Sequence, residues 1–236
     1  MSRAIYATDL HGNEELYKKL FKLAEKEGVK YILIGGDISP GFDIQQQRDF
    51  LEGWLVPNIE KFRSVHEKEV FIMMGNDDFG INMDVLEKAE KKGILKIAHN
   101  KVHKVDGKLL VGYSFIAPTP FFIKDWERLE QDIKKGLAKW AKKADPKKSI
   151  WMFHVPPYNT KLDVLYNGEH AGSVGIKWFI EEHQPLLTLH GHIHESPDMS
   201  GAWKESFGKT VSINPGNGRC VVFDLGLKEI KLIDML

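Results

Sequence analysis

Short apolar segments recur along this chain, and each is followed by a polar loop and then by the residue spacing of an amphipathic helix. The first such segment, residues 4–8, precedes Asn13, a residue type that caps helices. Leu16 and Leu20 then lie on one face of a helix, and Gly28 is placed to end it. This alternation of strand and helix favours an α/β fold in which most strands run parallel.

The same pattern predicts the remaining elements. Further strands are predicted at residues 29–34, 70–74, 109–114, 150–153 and 186–189. Further helices are predicted at residues 45–62, 83–92, 126–142 and 173–182. After His194 the pattern changes to short segments with glycine turns, which predict antiparallel strands at residues 210–213, 220–225 and 230–233. Because no long linker or repeat divides the chain, we expect a single domain over residues 1–236.

The composition excludes several classes of protein. The chain has 33 basic and 33 acidic residues, so it lacks the long-range field of a general nucleic-acid or membrane-surface binder. Nucleic acid is therefore expected only as a substrate. Cys220 is the only cysteine, which excludes an internal disulfide and favours a reducing compartment. The longest uncharged stretch, residues 109–123, is shorter than the roughly 18 residues of a spanning helix. We therefore expect a cytoplasmic protein without a membrane segment.

Polar motifs stand at the ends of five predicted strands. They are Asp9-Leu10-His11, Gly36-Asp37, Gly75-Asn76-Asp77-Asp78, His154 and Gly191-His192-Ile193-His194. In open α/β sheets the carboxyl ends of the strands form the edge at which ligands bind. The sequence thus predicts one site built from distant parts of the chain.

The residue types in these motifs are typical metal ligands. Asp9 and His11 are two residues apart, so on an extended segment their side chains point to the same side and can share one ion. His192 and His194 repeat this spacing. Carboxylate, imidazole and amide ligands suit Mn²⁺, Fe²⁺, Ni²⁺ or Zn²⁺, and the lack of thiolates argues against a closed structural zinc site.

In their order along the chain, these motifs resemble those of the calcineurin-like metallophosphoesterase superfamily. The resemblance covers residues 9–216, because Asn214-Pro215-Gly216 is similar to a turn that often follows the last histidines in that superfamily. It implies an α/β fold of the metallophosphoesterase type, a double β-sheet sandwich flanked by helices. It also implies metal-dependent hydrolysis of a phosphoester by a hydroxide that bridges two divalent metals.

The resemblance also implies a role for each motif residue. One ion would be bound by Asp9, His11 and His194, the other by Asn76, His154 and His192, and Asp37 would bridge both. Catalytic roles fall to Asp37, Asn76, Asp77 and His154. Manganese is the favoured metal, with iron, nickel and zinc as alternatives.

Two residues depart from the superfamily pattern. Pro40 stands where an acidic residue usually supports the aspartate of the second motif. Asp77 stands where a histidine often protonates the leaving oxygen. Two divalent ions, two ligand carboxylates and a hydroxide leave about one positive charge, which an ionised Asp77 or Asp78 would cancel. A monoester carries nearly two negative charges and a diester one, so the sequence predicts a preference for phosphodiesters.

Other interpretations remain open at this stage. The activity could be that of a phosphomonoesterase, either a nucleotidase or a protein phosphatase, or the chain could be a non-catalytic interaction module that retains a metal site. The lysine-rich residues 134–148 form either a solvated helix face or a surface that attracts anions. Ser173 either caps a helix or helps to seat a phosphate at its terminus. Residues 118–122 form either an apolar lip over the metals or ordinary loop packing.

Overall fold

Two six-stranded β-sheets stack face to face in the computed structural model, which describes residues 2–236. The strands are β1 (Arg3–Ala7), β2 (Tyr31–Ile34), β3 (Glu69–Ile72), β4 (Lys96–Ile97), β5 (Val102–Val105), β6 (Lys108–Tyr113), β7 (Ser149–Phe153), β8 (Leu187–Leu189), β9 (Lys204–Phe207), β10 (Thr210–Ile213), β11 (Arg219–Asp224) and β12 (Ile230–Asp234). The first sheet has the order β12-β11-β1-β2-β3-β4 and the second β5-β6-β7-β8-β10-β9.

Helices cover the outer faces of the two sheets. They are α1 (Glu14–Lys26), α2 (Ile44–Phe50), α3 (Val56–Val65), α4 (Met83–Lys91), α5 (Glu130–Ala141), α6 (Val174–His183) and α7 (Ser196–Ser200). A π-helical segment, Leu51–Leu55, joins α2 to α3. The predicted double sandwich with flanking helices is thus confirmed. None of these helices has both the length and the apolar character needed to cross a membrane, as far as residues 2–236 are concerned.

Alternation of side chains along the strands produces the layers. On β1, Ala4 and Tyr6 point into the core between the sheets, whereas Ile5 and Ala7 pack under the helices of the first sheet. On β7 the same alternation directs Trp151 toward α5 and α6. Both faces of the central strands are therefore buried, which is why they appear in the sequence as nearly continuous apolar runs.

Parallel strands bring the carboxyl ends of both sheets to one end of the molecule. The strands β1 to β4 are mutually parallel, and so are β6, β7, β8 and β10. The pairs β11–β1 and β12–β11 are antiparallel, as predicted for the last two strands. The expectation for residues 210–213 was wrong in part. The chain reverses through β9, so β10 inserts between β9 and β8 and runs parallel to β8.

The other differences from prediction lie at edges and loops. The strands β4, β5 and β9 were missed because they are short and partly exposed edge strands, with lysines and other polar residues on their outer faces. The helix predicted at residues 126–142 begins only at Glu130. The preceding loop buries Trp126, whose Nε1 donates a hydrogen bond to the carbonyl oxygen of Asp78 at 2.8 Å.

Asp78 connects the loops that follow β2 and β3. Its fully buried carboxylate accepts hydrogen bonds from the backbone N–H groups of Ile38, Ser39 and Gly75 at 2.8–3.1 Å. Burial raises the pKa of Asp78 to about 7, the negative charge of Asp37 adds to this, and the three backbone donors oppose it. Asp78 therefore determines how the second and third motifs lie against each other.

We predict that Asp78→Asn lowers the free energy of unfolding of the metal-free protein by about 2–4 kcal/mol. Both carboxylate oxygens of Asp78 accept backbone N–H groups. In the asparagine variant the side-chain NH₂ group would replace one of these oxygens, so a buried backbone N–H would lose its acceptor. The measurement is denaturant unfolding in a chelator. Asp77→Asn is the matched control, since the Asp77 side chain is partly exposed and accepts only a side-chain donor. A change below about 0.5 kcal/mol for Asp78→Asn would contradict this role.

Candidate metal centre

The first two motifs pair with each other beyond the ends of their strands. The backbone N–H of Asp9 donates to the carbonyl oxygen of Gly36 at 3.0 Å, and the backbone N–H of His11 donates to the carbonyl oxygen of Asp37 at 2.8 Å. Asp9, His11 and Asp37 have φ values of 54°, 43° and 48°, in the left-handed region. The expectation of an extended Asp9–His11 segment was therefore wrong. A tight turn, maintained by the neighbouring loop, brings the two side chains together.

Two clusters of candidate ligands share the carboxylate of Asp37. Ligand atoms of Asp9, His11 and Asp37 all lie within 4.8 Å of one another. The same holds for Asp37, His154 and His192. A carboxylate common to both clusters is the arrangement that a bridging ligand requires.

Asn76 and His194 complete the set of predicted ligands. The side-chain oxygen of Asn76 lies 2.9 Å from His154 Nε2 and so belongs to the second cluster. The ring of His194 is 6.0 Å from that of His11, beside the first cluster. The structure thus brings all seven predicted ligands together, while their assignment to particular ions stays a prediction.

Hydrogen bonds set the orientation of the buried His154 ring. Its Nδ1 donates to the carbonyl oxygen of Gly35 at 3.1 Å, which directs Nε2 toward Asp37 Oδ2 at 3.2 Å. Burial lowers the pKa of His154, but the charge and hydrogen bond of Asp37 outweigh burial and raise the pKa to about 10. Burial likewise acts to raise the pKa of Asp37, and the facing His154 lowers it overall to well below its ordinary value. A metal at Nε2 would replace the proton of this ion pair.

His192 already has the neutral form that a metal ligand needs. Burial lowers its pKa to about 3, and the neighbouring charge of His154 contributes. The backbone N–H of His192 donates to both carboxylate oxygens of Asp9, at 3.0 and 3.2 Å, so the fifth motif orients a ligand from the first. Supporting contacts of this kind are typical of metal sites.

The residues present fit divalent metal ions. The Nδ1 atom of His194 is buried and has no hydrogen-bond partner among the described residues. A buried polar atom without a partner destabilises the fold, and coordination to a metal would remove this cost. The donors are imidazole nitrogens with carboxylate and amide oxygens, which suit the first-row metals considered above.

The structure separates the two aspartates that follow Asn76. Asp78 points into the backbone of the loops, whereas Asp77 lines the cavity in front of the clusters. Asp77 Oδ1 accepts a hydrogen bond from Asn76 Nδ2 at 2.7 Å, and Oδ2 lies 3.9 Å from His11 Nδ1. Burial and then the charge of Asp37 raise the pKa of Asp77 to about 6.

Glycines precede the ligands because the loops approach one another closely. A Cβ atom on Gly75 would overlap the carboxylate and backbone of Asp37, and one on Gly191 would overlap Asp9 and Thr8. These glycines therefore serve close approach between motifs rather than a turn alone.

A cavity of about 540 Å³ opens in front of the two clusters. Besides ligand residues and Asp77, it is lined by parts of two loops, residues 116–121 and 165–172, and by Val155, Ile193 and Glu195. Residues 118–122 were expected to form either an apolar lip or ordinary loop packing, and in the structure residues 118–121 line the cavity whereas Phe122 does not. Leu165, Tyr166 and Glu195 were missed, because nothing in their local sequence indicates that they face the site.

The other features singled out in the sequence have structural roles. Ser173 caps α6, and the carboxylate of Glu130 accepts the N–H groups of Val174 and Gly175, so this helix terminus already has an anionic partner. His190 binds a backbone carbonyl oxygen through Nδ1 and Thr188 through Nε2. The lysines of residues 134–148 lie on an outer face and do not line the cavity.

The His154–Asp37 pair makes the stability of the metal-free protein depend on pH. The pKa of His154 is raised on folding, so its contribution is complete below pH 6.5 and is lost as the pH rises toward 10. We predict that the difference in unfolding free energy between the wild type and His154→Gln is larger at pH 6.5 than at pH 9.5, as measured by denaturant unfolding in a chelator. Gln184→Asn, at the C-cap of α6, is the control because it removes no titratable group, and its effect should be the same at both pH values. An equal difference at both values would show that the pair does not form.

Comparisons with known proteins agree with the fold and the motifs. A family model described as calcineurin-like phosphoesterase matches residues 3–196. No curated protein sequence matches the chain significantly. Among solved structures, the protein TT1561 of Thermus thermophilus is 20% identical, with a TM-score of 0.75 over 100% of this chain and 99% of that one.

Two further structures share the fold at lower identity. A novel archaeal phosphodiesterase is 12% identical, with a TM-score of 0.51 over 98% of both chains. A putative 5′-nucleotidase from Staphylococcus aureus is 14% identical, with a TM-score of 0.59 over 99% of this chain and 54% of that one. Together with the family model, the fold and the two clusters lead to one conclusion: the chain belongs to the calcineurin-like phosphoesterase family.

Proposed function

We propose that the protein is a metal-dependent phosphodiesterase with a dinuclear site, and that residues 1–236 act as one domain. The observation that carries the proposal is that Asp37 belongs to both ligand clusters. The first ion would be held by Asp9, His11 and His194 and the second by Asn76, His154 and His192, with Asp37 common to both. Manganese is the proposed metal.

When bound, the two ions supply Lewis acidity, which lowers the pKa of water and neutralises charge on the phosphoryl oxygens. The chain's own residues supply the positioning. Asp78 and the Gly35–His154 hydrogen bond keep the second and third motifs in place, and the His192 N–H orients Asp9. Hydrolysis then breaks one ester bond of the phosphodiester, adds water across it and releases an alcohol and a monoester.

Asp77 is the residue that supports a preference for diesters. Its carboxylate borders the cavity, and bound cations would keep it ionised by lowering its pKa. The resulting negative charge disfavours a monoester dianion more than a diester monoanion. Asp77 then also supplies no proton to the leaving oxygen at neutral pH, so leaving groups of low pKa are the best substrates.

The first test combines metal analysis with two chromogenic substrates, bis-p-nitrophenyl phosphate and p-nitrophenyl phosphate. We expect two metals per chain, hydrolysis that requires added Mn²⁺ and disappears with chelator, and a higher kcat/KM for the diester. A higher kcat/KM for the monoester would favour a phosphomonoesterase. Metal binding without hydrolysis of either compound would favour an interaction module.

We predict that Asp37→Asn lowers kcat/KM by at least about 1000-fold and reduces binding of both ions. Asparagine tolerates the left-handed backbone of this position, so the change removes mainly the charge. His194→Gln should instead weaken one ion. Asp106→Asn is a matched control because Asp106 also has a positive φ and lies outside the site, in the turn between β5 and β6. Two metals per chain in Asp37→Asn, by elemental analysis, would refute the shared ligand.

Substitution of Asp77 tests the origin of the diester preference. Asp77→Asn removes the charge while it keeps an oxygen for the Asn76 donor, and we predict that the ratio of monoesterase to diesterase kcat/KM rises about tenfold. Asp77→His should raise the ratio further, because it also supplies an acid with a pKa near neutrality. The ratio is measured with substrates of matched leaving groups. An unchanged ratio in both variants would show that charge at this position does not set the preference.

A further inference from the structure

Apolar side chains form much of the cavity wall beyond the metal clusters. Ile116, Pro118, Pro120 and Phe121 come from the segment between β6 and α5, and Leu165 and Tyr166 come from the loop before α6. Phe121 is 55% exposed and Tyr166 is 73% exposed. Burial of such large side chains away from water is favourable. This part of the cavity therefore favours an apolar occupant.

The charged side chains that line the cavity beyond the candidate ligands are acidic. Its lining residues, all within residues 2–236, include Asp77 and Glu195 but no lysine or arginine. Lys124 donates to the carbonyl oxygen of Thr119 and to Glu127 and is not one of the lining residues. An occupant with a second phosphate or carboxylate would therefore meet no lysine or arginine in the cavity wall and would face two acidic side chains. A nucleic-acid strand, a nucleoside polyphosphate or an acidic phosphopeptide is therefore a poor match.

Both loops are fixed by internal hydrogen bonds. Glu127 accepts from the backbone N–H of Thr119 at 2.9 Å and from its hydroxyl at 2.6 Å, which anchors the first loop. In the second loop the buried Asp163 accepts N–H groups from Asn159, Thr160 and Gly172. The apolar walls are thus formed before a ligand arrives, which reduces the entropy lost on binding.

We propose that the substrate is a phosphodiester with a single negative charge, whose second ester group is an uncharged apolar ring or chain held by Phe121, Tyr166 and their neighbours. This inference rests on the proposed function and adds the chemical class of substrate to it. The cavity volume of about 540 Å³ suits an organic group of this kind next to the phosphoryl group. An aromatic base and an aliphatic chain share this chemistry.

The test uses four p-nitrophenyl phosphodiesters that have the same leaving group and differ in the second ester group: ethyl, phenyl, octyl and carboxyethyl. We expect the Mn²⁺-loaded enzyme to have a kcat/KM at least tenfold higher for the phenyl or the octyl diester than for the ethyl diester. The faster of the two identifies a ring or a chain as the natural group. The carboxyethyl diester should be slower than the ethyl diester.

Two variants and a neighbouring control assign the effect to the cavity wall. Phe121→Ala and Tyr166→Ala should each lower kcat/KM for the preferred apolar diester about tenfold and change that for the ethyl diester less than threefold. Phe122→Ala is the matched control, because Phe122 is 67% exposed and contacts Phe42 instead of the cavity. It should leave both values unchanged.

A binding measurement separates this inference from the proposed function. The probes are phenyl and ethyl monoesters of methylphosphonate, which keep the single charge and have poorer leaving groups than p-nitrophenolate, and calorimetry measures their affinity. Tighter binding of the phenyl ester, lost in Tyr166→Ala, supports the inference even if no diester is hydrolysed. Equal hydrolysis and equal binding of all the esters would overturn it while the phosphodiesterase proposal stands. Faster hydrolysis of the carboxyethyl diester would also overturn it.

Discussion

The buried carboxylate of Asp37 is the feature on which the arrangement of the site depends. It lies in a left-handed turn between the two ligand clusters, and it accepts the backbone N–H of Asp77 at 2.8 Å. A buried charge of this kind is costly unless it is paired. In the metal-free protein the paired charge is that of His154, at 3.2 Å from the carboxylate. The Asp37 carboxylate therefore requires a positive charge beside it, and the surrounding loops fix the position of that carboxylate.

The loops around Asp37 are fixed mainly by contacts with one another. Asp78 accepts backbone donors from two loops, Gly75 and Gly191 permit the close approach, and the N–H of His192 orients Asp9 across the two sheets. Apart from the hydrogen bond between Gly75 and Asp78, which lies within one motif, each of these contacts joins motifs from different strand ends. The ligands thus acquire their geometry from the tertiary fold, because the motifs are far apart in sequence.

Much of the architecture followed from the sequence because buried parallel strands have a strong apolar signal. The strand ends were located well enough to predict which residues meet at one edge. The edge strands β4, β5 and β9 were not predicted, because their outward residues are polar. The parallel placement of β10 was not predicted either, because it depends on the hairpin with β9. Local signals describe a strand's own burial, whereas pairing depends on what lies beside it.

The candidate ligands could be predicted, but their backbone geometry and the wall around them could not. The turn at Asp9 and His11 arises from hydrogen bonds to the loop after β2, which sequence spacing does not reveal. Tyr166 faces the cavity because the loop folds around Asp163. The roles of Asp77 and Asp78 separated only once the backbone donors around Asp78 were known. Residue types can thus indicate a candidate metal site, while the cavity wall depends on loops that have weaker sequence signals.

The most direct test of a dinuclear site shared through Asp37 is anomalous diffraction from crystals of the protein grown with Mn²⁺. We expect two peaks of comparable height about 3.5–4 Å apart, with the Asp37 carboxylate within bonding distance of both. A single peak, or two peaks of which only one contacts Asp37, would contradict this expectation.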